Sequence, residues 1–449
     1  MKKIIIFLLI FCSYYSYSRT VDEIAAELEK NNMLMGSAVG YSAVRPEQYD
    51  VFEELLNTAN MNDLLLLSKH RSGVIRAYAC WGLSRKYPSA INWPNFLQTY
   101  LSDTQKIMTM FGCIVSHEMV GDFVISMCQD LLSNEEISEL YYLGISSRSP
   151  LYFISSALLK EPFDERFYGP IQTWALDNND YAKLALAKYR KEQDKELVLS
   201  LRDQNESFFF KAVPYYLDDS LKPYFSEYLQ SIKSKDKYNT TWRHFYSALA
   251  KYHDSYSIEK LNSIFGKDVN PVIRKYHAEY IYDAVRDFKD GFYDDLLIRI
   301  WNEYPVVSED VVQYFYNKNK VLCINQMLSS VEKSDEYFNN TESLECMIRL
   351  LIESNVDIRD LYIKQISEQT VTTFRVYFLF IDHYWSIDVE KALIGRLKKE
   401  KNGHILIPVY TYFLEHESYT TKDEIKDIYK KTRGTLMDWT QKELDKLFI

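Results

Sequence analysis

From residue 20 onward, apolar residues recur every three or four positions in short runs separated by polar joints, the spacing that turns one helical face toward a core. In segment 48–69, Tyr49, Phe52, Leu55, Leu56 and Ala59 share such a face, and Leu64, Leu65 and Leu67 open a second helix after Asn60. Comparable amphipathic segments lie at 21–34, 73–86, 93–102, 121–132, 136–144, 150–159, 167–176, 180–190, 240–252 and 257–264. They continue at 271–287, 292–302, 308–317, 343–353, 358–367, 371–382, 388–398, 404–415, 422–431 and 440–448. Four Thr/Ser-x-x-Glu pairs, Thr20 with Glu23, Ser133 with Glu136, Thr421 with Glu424 and Thr440 with Glu443, predict helix starts of the capping-box kind. Strand-like alternation is almost absent. The pattern predicts an all-α chain of successive helical hairpins over 19–449, least regular at 192–240, where a joint between two sub-arrays is expected.

A short element repeats within this succession. Val74-Ile75-Arg76-Ala77-Tyr78 and Val272-Ile273-Arg274-Lys275-Tyr276 share Val-Ile-Arg-x-Tyr, each just after a polar residue and a turn former. Trp242-Arg243-His244-Phe245 and Phe374-Arg375-Val376-Tyr377 keep the Arg and the flanking aromatic. The Arg positions are separated by 31 residues (243 to 274), 101 (274 to 375) and 167 (76 to 243), near one, three and five units of one period.

These residues carry a family resemblance. The stretch from Gly73 to Leu83 resembles the second helix of a HEAT repeat, Pro-x-Val-Arg-x-x-Ala-x-x-Ala-Leu, with Ile75, Arg76, Ala79 and Leu83 matching and Gly73 and Gly82 standing where Pro and Ala are usual. The copy at 270–281 keeps Pro271, Ile273 and Arg274 but places His277 in the small-residue slot. The segment Gly36 to Tyr41 is similar to part of an uncharacterised group of exported bacterial HEAT-like proteins, a likeness that names no activity. The resemblance implies an α-solenoid of stacked antiparallel hairpins, in which Ala79 lets helices approach and Ile75 and Leu83 fill the layer between repeats. It also implies that Arg76, Arg274, Arg243 and Arg375 bridge to a carboxylate or carbonyl of an adjacent repeat.

Composition supports the helical reading. Only 13 Gly and 11 Pro occur in 449 residues, about 5% against the roughly 12% of an average protein. Residues 1–18, with Lys2-Lys3, the apolar run Ile4 to Phe11 and small residues at 16 and 18, read as an export signal. Cys12 follows Phe11, where a lipoprotein signal wants a small residue. The chain without that signal keeps 51 basic against 63 acidic residues, a formal −12, with no basic block, which argues against a nucleic-acid partner and against HEAT-like DNA-repair glycosylases. No later stretch is apolar enough for an integral membrane span. Five cysteines remain, Cys80, Cys113, Cys128, Cys323 and Cys346. That odd count predicts buried small hydrophobes rather than a disulfide scaffold, with Cys113–Cys128 the pair an oxidising compartment would close.

Candidate chemistry is sparse. His117-Glu118 opens like a zinc-protease helix, but the second His would stand at 121, which is Gly121. Cys113, Glu118, Asp122 and Cys128 read as an ordinary joint with a solvated His rather than a metal site. Gly112 and Gly121 bracket that stretch, which makes it the first place to look for a non-structural feature. Asp294-Asp295 and Glu135-Glu136 read as helix-start charges. No catalytic, cofactor or metal residue is assigned. The 37 Tyr, 24 Phe and 7 Trp are the one excess with functional meaning, since Tyr joins contact area to a polar tip. Adjacent rings at Tyr141-Tyr142 and Tyr314-Phe315-Tyr316 point about 100° apart on a helix, so Tyr142, Tyr314 and Tyr316 are candidates for a binding face. The expected function is a non-enzymatic protein- or peptide-binding scaffold of the cell envelope, and the alternative is an exported (α/α)-toroid glycosidase or lyase.

Overall fold

The computed structural model describes residues 19–160, 163–231, 239–337 and 340–448; the segment read as an export signal, with Cys12, lies outside them. The described chain is predominantly helical and falls into two compact units, one through Tyr216 and one from Leu217. No helix among the described residues is long and apolar enough to cross a membrane.

In the first unit, α1 (Val21–Asn31), α2 (Glu47–Thr58), α3 (Met61–Leu67), α4 (Gly73–Lys86) and α5 (Trp93–Gln98) follow the sequence pattern closely. Between them the structure departs from it. Strand β1 (Met33–Val39) follows α1, and strands β2 (Lys106–Gly112) and β3 (Ile114–Met119) follow α5, forming one sheet in the order β1-β2-β3. β1 runs parallel to β2 and β3 antiparallel to it. The stretch Gly36 to Tyr41, expected to lead into a first repeat, thus supplies much of a strand. Helices α6 (Val120–Cys128), α7 (Asn134–Ser146) and α8 (Tyr152–Lys160) resume the helical succession.

The sheet has an inner and an outer face. Leu34, Ile107 and Thr109 are buried, and Phe111 packs on Trp81 of α4 at 5.9 Å and Phe123 of α6 at 6.2 Å. The alternate residues Met33, Met35, Met108 and Met110 are half-buried on the other side. The β2–β3 hairpin turns through Gly112 and Cys113, and Gly112 sits at φ +56°, a left-handed conformation that glycine adopts without steric cost.

Both units repeat one device. A donor on one helix reaches the last carbonyls of a helix about thirty residues earlier, groups that no intrahelical partner can satisfy. In the first unit Lys86 donates to the carbonyls of Leu56 and Ala59, and Lys188 to those of Leu158 (3.1 Å) and Leu159 (2.9 Å). In the second unit Gln365 donates to Val331 and Glu332 (3.1 Å each), and Arg396 to Ile366 (2.8 Å) and Gln369. The helix at each donor and the helix it reaches therefore end side by side, with their C-termini together; one α-helix stands between them at Lys86, Lys188 and Gln365, and two, Val371–Phe378 and Ile381–Tyr384, at Arg396.

Three of the four expected capping boxes form, at Thr20, Ser133 and Thr421. The fourth does not. The last helix starts at Asp438, which puts Thr440 inside it, fully buried against Gly403 with its hydroxyl unpaired, while Glu443 pairs with Lys446. Helix Lys320–Glu332 occupies a stretch where no segment was marked, and short helices Lys195–Leu199, Glu206–Ala212 and Lys222–Gln230 fill the irregular region.

Candidate functional site

The residues singled out by the repeat do different work at each copy. Ile75, Ala79 and Leu83 are fully buried on α4. Arg76 grips Asp103 with both guanidinium arms (2.8 and 2.9 Å), and it also donates to the His70 carbonyl (2.7 Å) and the Gln105 side chain (2.8 Å). The backbone carbonyls of Asp103 and Gln105 in turn accept from the Gly121 (3.0 Å) and Val120 (2.9 Å) amides. Arg76 thus ties α4 to the segment that launches β2 and seats the first turn of α6. Gly121 is required there, because a Cβ would strike the Tyr100 carbonyl and Leu151.

The other arginines make no such clamp. Arg243 is exposed, 3.4 Å from Asp283 and over the Tyr280 ring; Arg274 is half-buried with its Nε unpaired; Arg375 is exposed; Ile273 is half-buried. A uniform arginine ladder is therefore absent among the described residues: the recurring inter-helix donors are Lys86, Lys188, Gln365 and Arg396 instead. His277, in its small-residue slot, is buried beside Trp242 (5.0 Å) and hydrogen-bonded to the Tyr246 hydroxyl at 2.6 Å, and burial pulls its pKa down to about 4.

The three tyrosines are engaged rather than free. Tyr142 lies edge-on to Phe167 and under the Arg166 guanidinium, Tyr314 donates to Asp294, and the Tyr316 hydroxyl bonds Ser354 at 2.7 Å. Tyr141, its neighbour on α7, is the ring that faces an opening. With Phe153, on which it stacks at 4.9 Å, it lines a cleft of about 1040 Å³ between the sheet and α6 to α8.

This cleft falls on the stretch bracketed by Gly112 and Gly121. Its walls are Lys106, His117, Glu118 and Met119 of the sheet, Asp122 and Ser126 of α6, and Tyr152, Phe153 and Lys160 of α8. Asp122 accepts the Tyr152 (3.1 Å) and Phe153 (2.8 Å) amides at the start of α8, and burial holds its carboxyl above the ordinary range. Glu118 accepts the Thr109 (2.9 Å) and Ser116 (2.8 Å) hydroxyls. Both carboxylates are thus occupied by structural donors, while Lys106 and Lys160 form no ion pair with a described residue. No group of three or more His, Cys, Asp or Glu among the described residues is placed to hold a metal ion. Cys113 is exposed at the hairpin turn and Cys128 is buried in α6, so the two are not joined; Cys80, Cys323 and Cys346 are buried. A second cleft, of about 870 Å³, lies within the second unit and is lined by charges of both signs, Arg243 and Arg286 against Asp283 and Glu303 among them.

The two edges of the sheet differ. On β1, the Met35 amide donates to the Tyr78 hydroxyl (2.8 Å) and the Met33 carbonyl accepts from Gln48 (3.1 Å), so side chains plug the edge. On β3, the Phe111–Ile114 pair closes the hairpin, which turns the backbone groups of Val115 and His117 away from β2. No described residue pairs with them, and Ile114 and Val115 are 72% and 52% exposed. β3 is an open edge running into the cleft. Sequence reasoning missed it, since neither strand alternates apolar with polar cleanly; the pair of glycines was the one signal that pointed there.

No family model, curated protein or solved structure matches the chain.

Proposed function

We propose that this protein is a non-enzymatic scaffold of HEAT-like stacked hairpins, exported to the cell envelope, that binds an extended segment of a partner protein along β3 and in the adjoining cleft. The carrying observation is the open edge of β3 beside a cleft of about 1040 Å³, when the opposite edge is plugged. An added strand pairs with the outward backbone groups of Val115 and His117, and its side chains reach the aromatic wall of Tyr141, Tyr152 and Phe153. Lys106 and Lys160 favour an acidic residue in that segment. The solenoid part of the reading draws support from the donors that bridge the C-termini of helices about thirty residues apart, a recurrence that stacked hairpins would produce. The engagement of Glu118 and Asp122 by hydroxyls and amides is why the scaffold is preferred to a polysaccharide-cleaving toroid, which needs two available carboxylates.

The test is selection of displayed peptides on residues 19–449, followed by affinity measurement on Val115→Pro and on the Lys106→Glu/Lys160→Glu pair. Val115→Pro removes an outward amide without touching the β2–β3 ladder, so at least a tenfold loss with an unchanged circular dichroism spectrum is expected, and the charge reversal should select basic in place of acidic residues. Selected peptides that bind Val115→Pro as tightly as the parent, or that bind only in the second unit, would overturn the proposal.

A further inference from the structure

The outer face of the sheet carries a concentration of one side chain that packing does not explain. The whole sequence holds 11 methionines. Met33, Met35, Met108, Met110 and Met119 all fall on this sheet, at positions that alternate with the buried set, and all five are half-buried. On the inner face the chain uses Leu34, Ile107, Thr109 and Phe111, with no methionine. The helices that pack on β2, through Ile107 and Phe111, are α4 and α6, and both meet that inner face.

The register brings the thioethers together. Met33 is opposite Met108, and Met108 is opposite His117, so Met33, Met108 and His117 form one row across the three strands. Met35 and Met110 form the next row. Neighbours in a row lie about 5 Å apart at the backbone, and a Met side chain has three rotatable bonds with which to converge. His117 is exposed, and its imidazole makes no hydrogen bond to a described residue. The carboxylate closest in sequence, Glu118, alternates to the opposite face and is held by Thr109 and Ser116.

Thioether sulfur with one imidazole, and no carboxylate on the same face, is a donor set for a soft monovalent cation; it is a poor one for Zn²⁺, Mg²⁺ or Ca²⁺. From this placement we infer that the outer face is a Cu(I)-binding site in which Met33, Met108 and His117 supply the first ligands and Met35, Met110 and Met119 surround them. His117 and Met119 also line the cleft of the peptide reading, while Met33 and Met108 belong to the metal site alone, so the double Met substitution tests the metal site without touching the peptide edge.

The experiment uses residues 19–449 carrying Cys113→Ser, because the exposed thiol at the hairpin turn would itself take a soft metal. Ag(I), which is redox-inert, and Cu(I) under ascorbate are titrated against a chromophoric Cu(I) chelator, with methyl-labelled methionines followed by NMR. One tightly held equivalent is expected, with the Met33 and Met108 methyl signals shifting on binding. Met33→Leu/Met108→Leu should weaken binding at least tenfold while leaving the circular dichroism spectrum intact, since Leu and Met are close in volume. Met437→Leu, at an exposed position in the second unit, should change nothing. Loss of all binding in Cys113→Ser, or equal binding by the double Leu variant, would overturn the assignment.

Discussion

The two units solve one problem with different residues. Each must satisfy the carbonyls left at helix C-termini, and each does so with a donor from a helix about thirty residues later. The first unit uses lysines, Lys86 and Lys188, with flexible stems; the second uses the amide of Gln365 and the guanidinium of Arg396, the latter only 5% exposed and packed 4.6 Å over the Phe374 ring. What is conserved between them is a geometry, and three residue types meet it. The units differ in a second respect. Among the described residues only the first interrupts its helices with a sheet, and that interruption supplies its cleft, its open edge and its methionine face.

The comparison is broken most forcefully at Arg396. Arg396→Met leaves the buried Ile366 and Gln369 carbonyls without their donor and the Glu400 carboxylate with only the Lys401 and Asn402 amides, so the second unit should lose about 4 kcal/mol in urea unfolding. Lys86→Met, at a wetter site, should cost the first unit about 1 kcal/mol. Equal losses would mean that burial does not set the difference. A loss of the second unit's stability on acidification comes next. His277 titrates at about 4 when folded and near 6.5 when unfolded, so below pH 6.5 the unfolded chain takes up a proton that the folded chain refuses. Its contribution is complete above pH 6.5 and disappears toward pH 4, on the order of 3 kcal/mol, and His277→Phe should flatten that part of the pH profile. The smallest effects have opposite signs. Thr421→Ala removes a true cap and should cost about 1 kcal/mol. Thr440→Val removes a buried unpaired hydroxyl and should raise stability by about 1 kcal/mol in the same thermal-melt series.

The helices were legible because their periodicity is local: the segments 73–86, 422–431 and 371–382 lie close to the helices that form. Arg76 was legible as a bridging residue, but its target, the Asp103 segment that seats the sheet, was not, since a contact across 27 residues leaves no local trace. The bridging donors escaped because they share a position and not an identity. Thr440 misled because a capping box is read from two residue types, while the last helix begins two residues upstream at Asp438, after an N-cap Met437 whose side chain makes no cap. The strands escaped because both faces carry apolar residues, Met against Leu34, Ile107 and Phe111, and the one polar residue of the alternation, Thr109, lies on the buried face, so period two does not show as apolar against polar. Tyr142 was singled out where its neighbour Tyr141 lines the cleft; a pattern that says two adjacent rings diverge does not say which of them meets the opening.

The central claim, that β3 is an open edge and β1 a closed one, is tested most directly by amide hydrogen exchange resolved by residue in the free protein. The Met35 amide, held by the Tyr78 hydroxyl, should exchange slowly, and the outward amides of Val115 and His117 should exchange at least a hundredfold faster while the inward Ser116 amide stays protected. Slow exchange at Val115 and His117, equal to that of Met35, would show that the β3 edge is covered and would contradict the account.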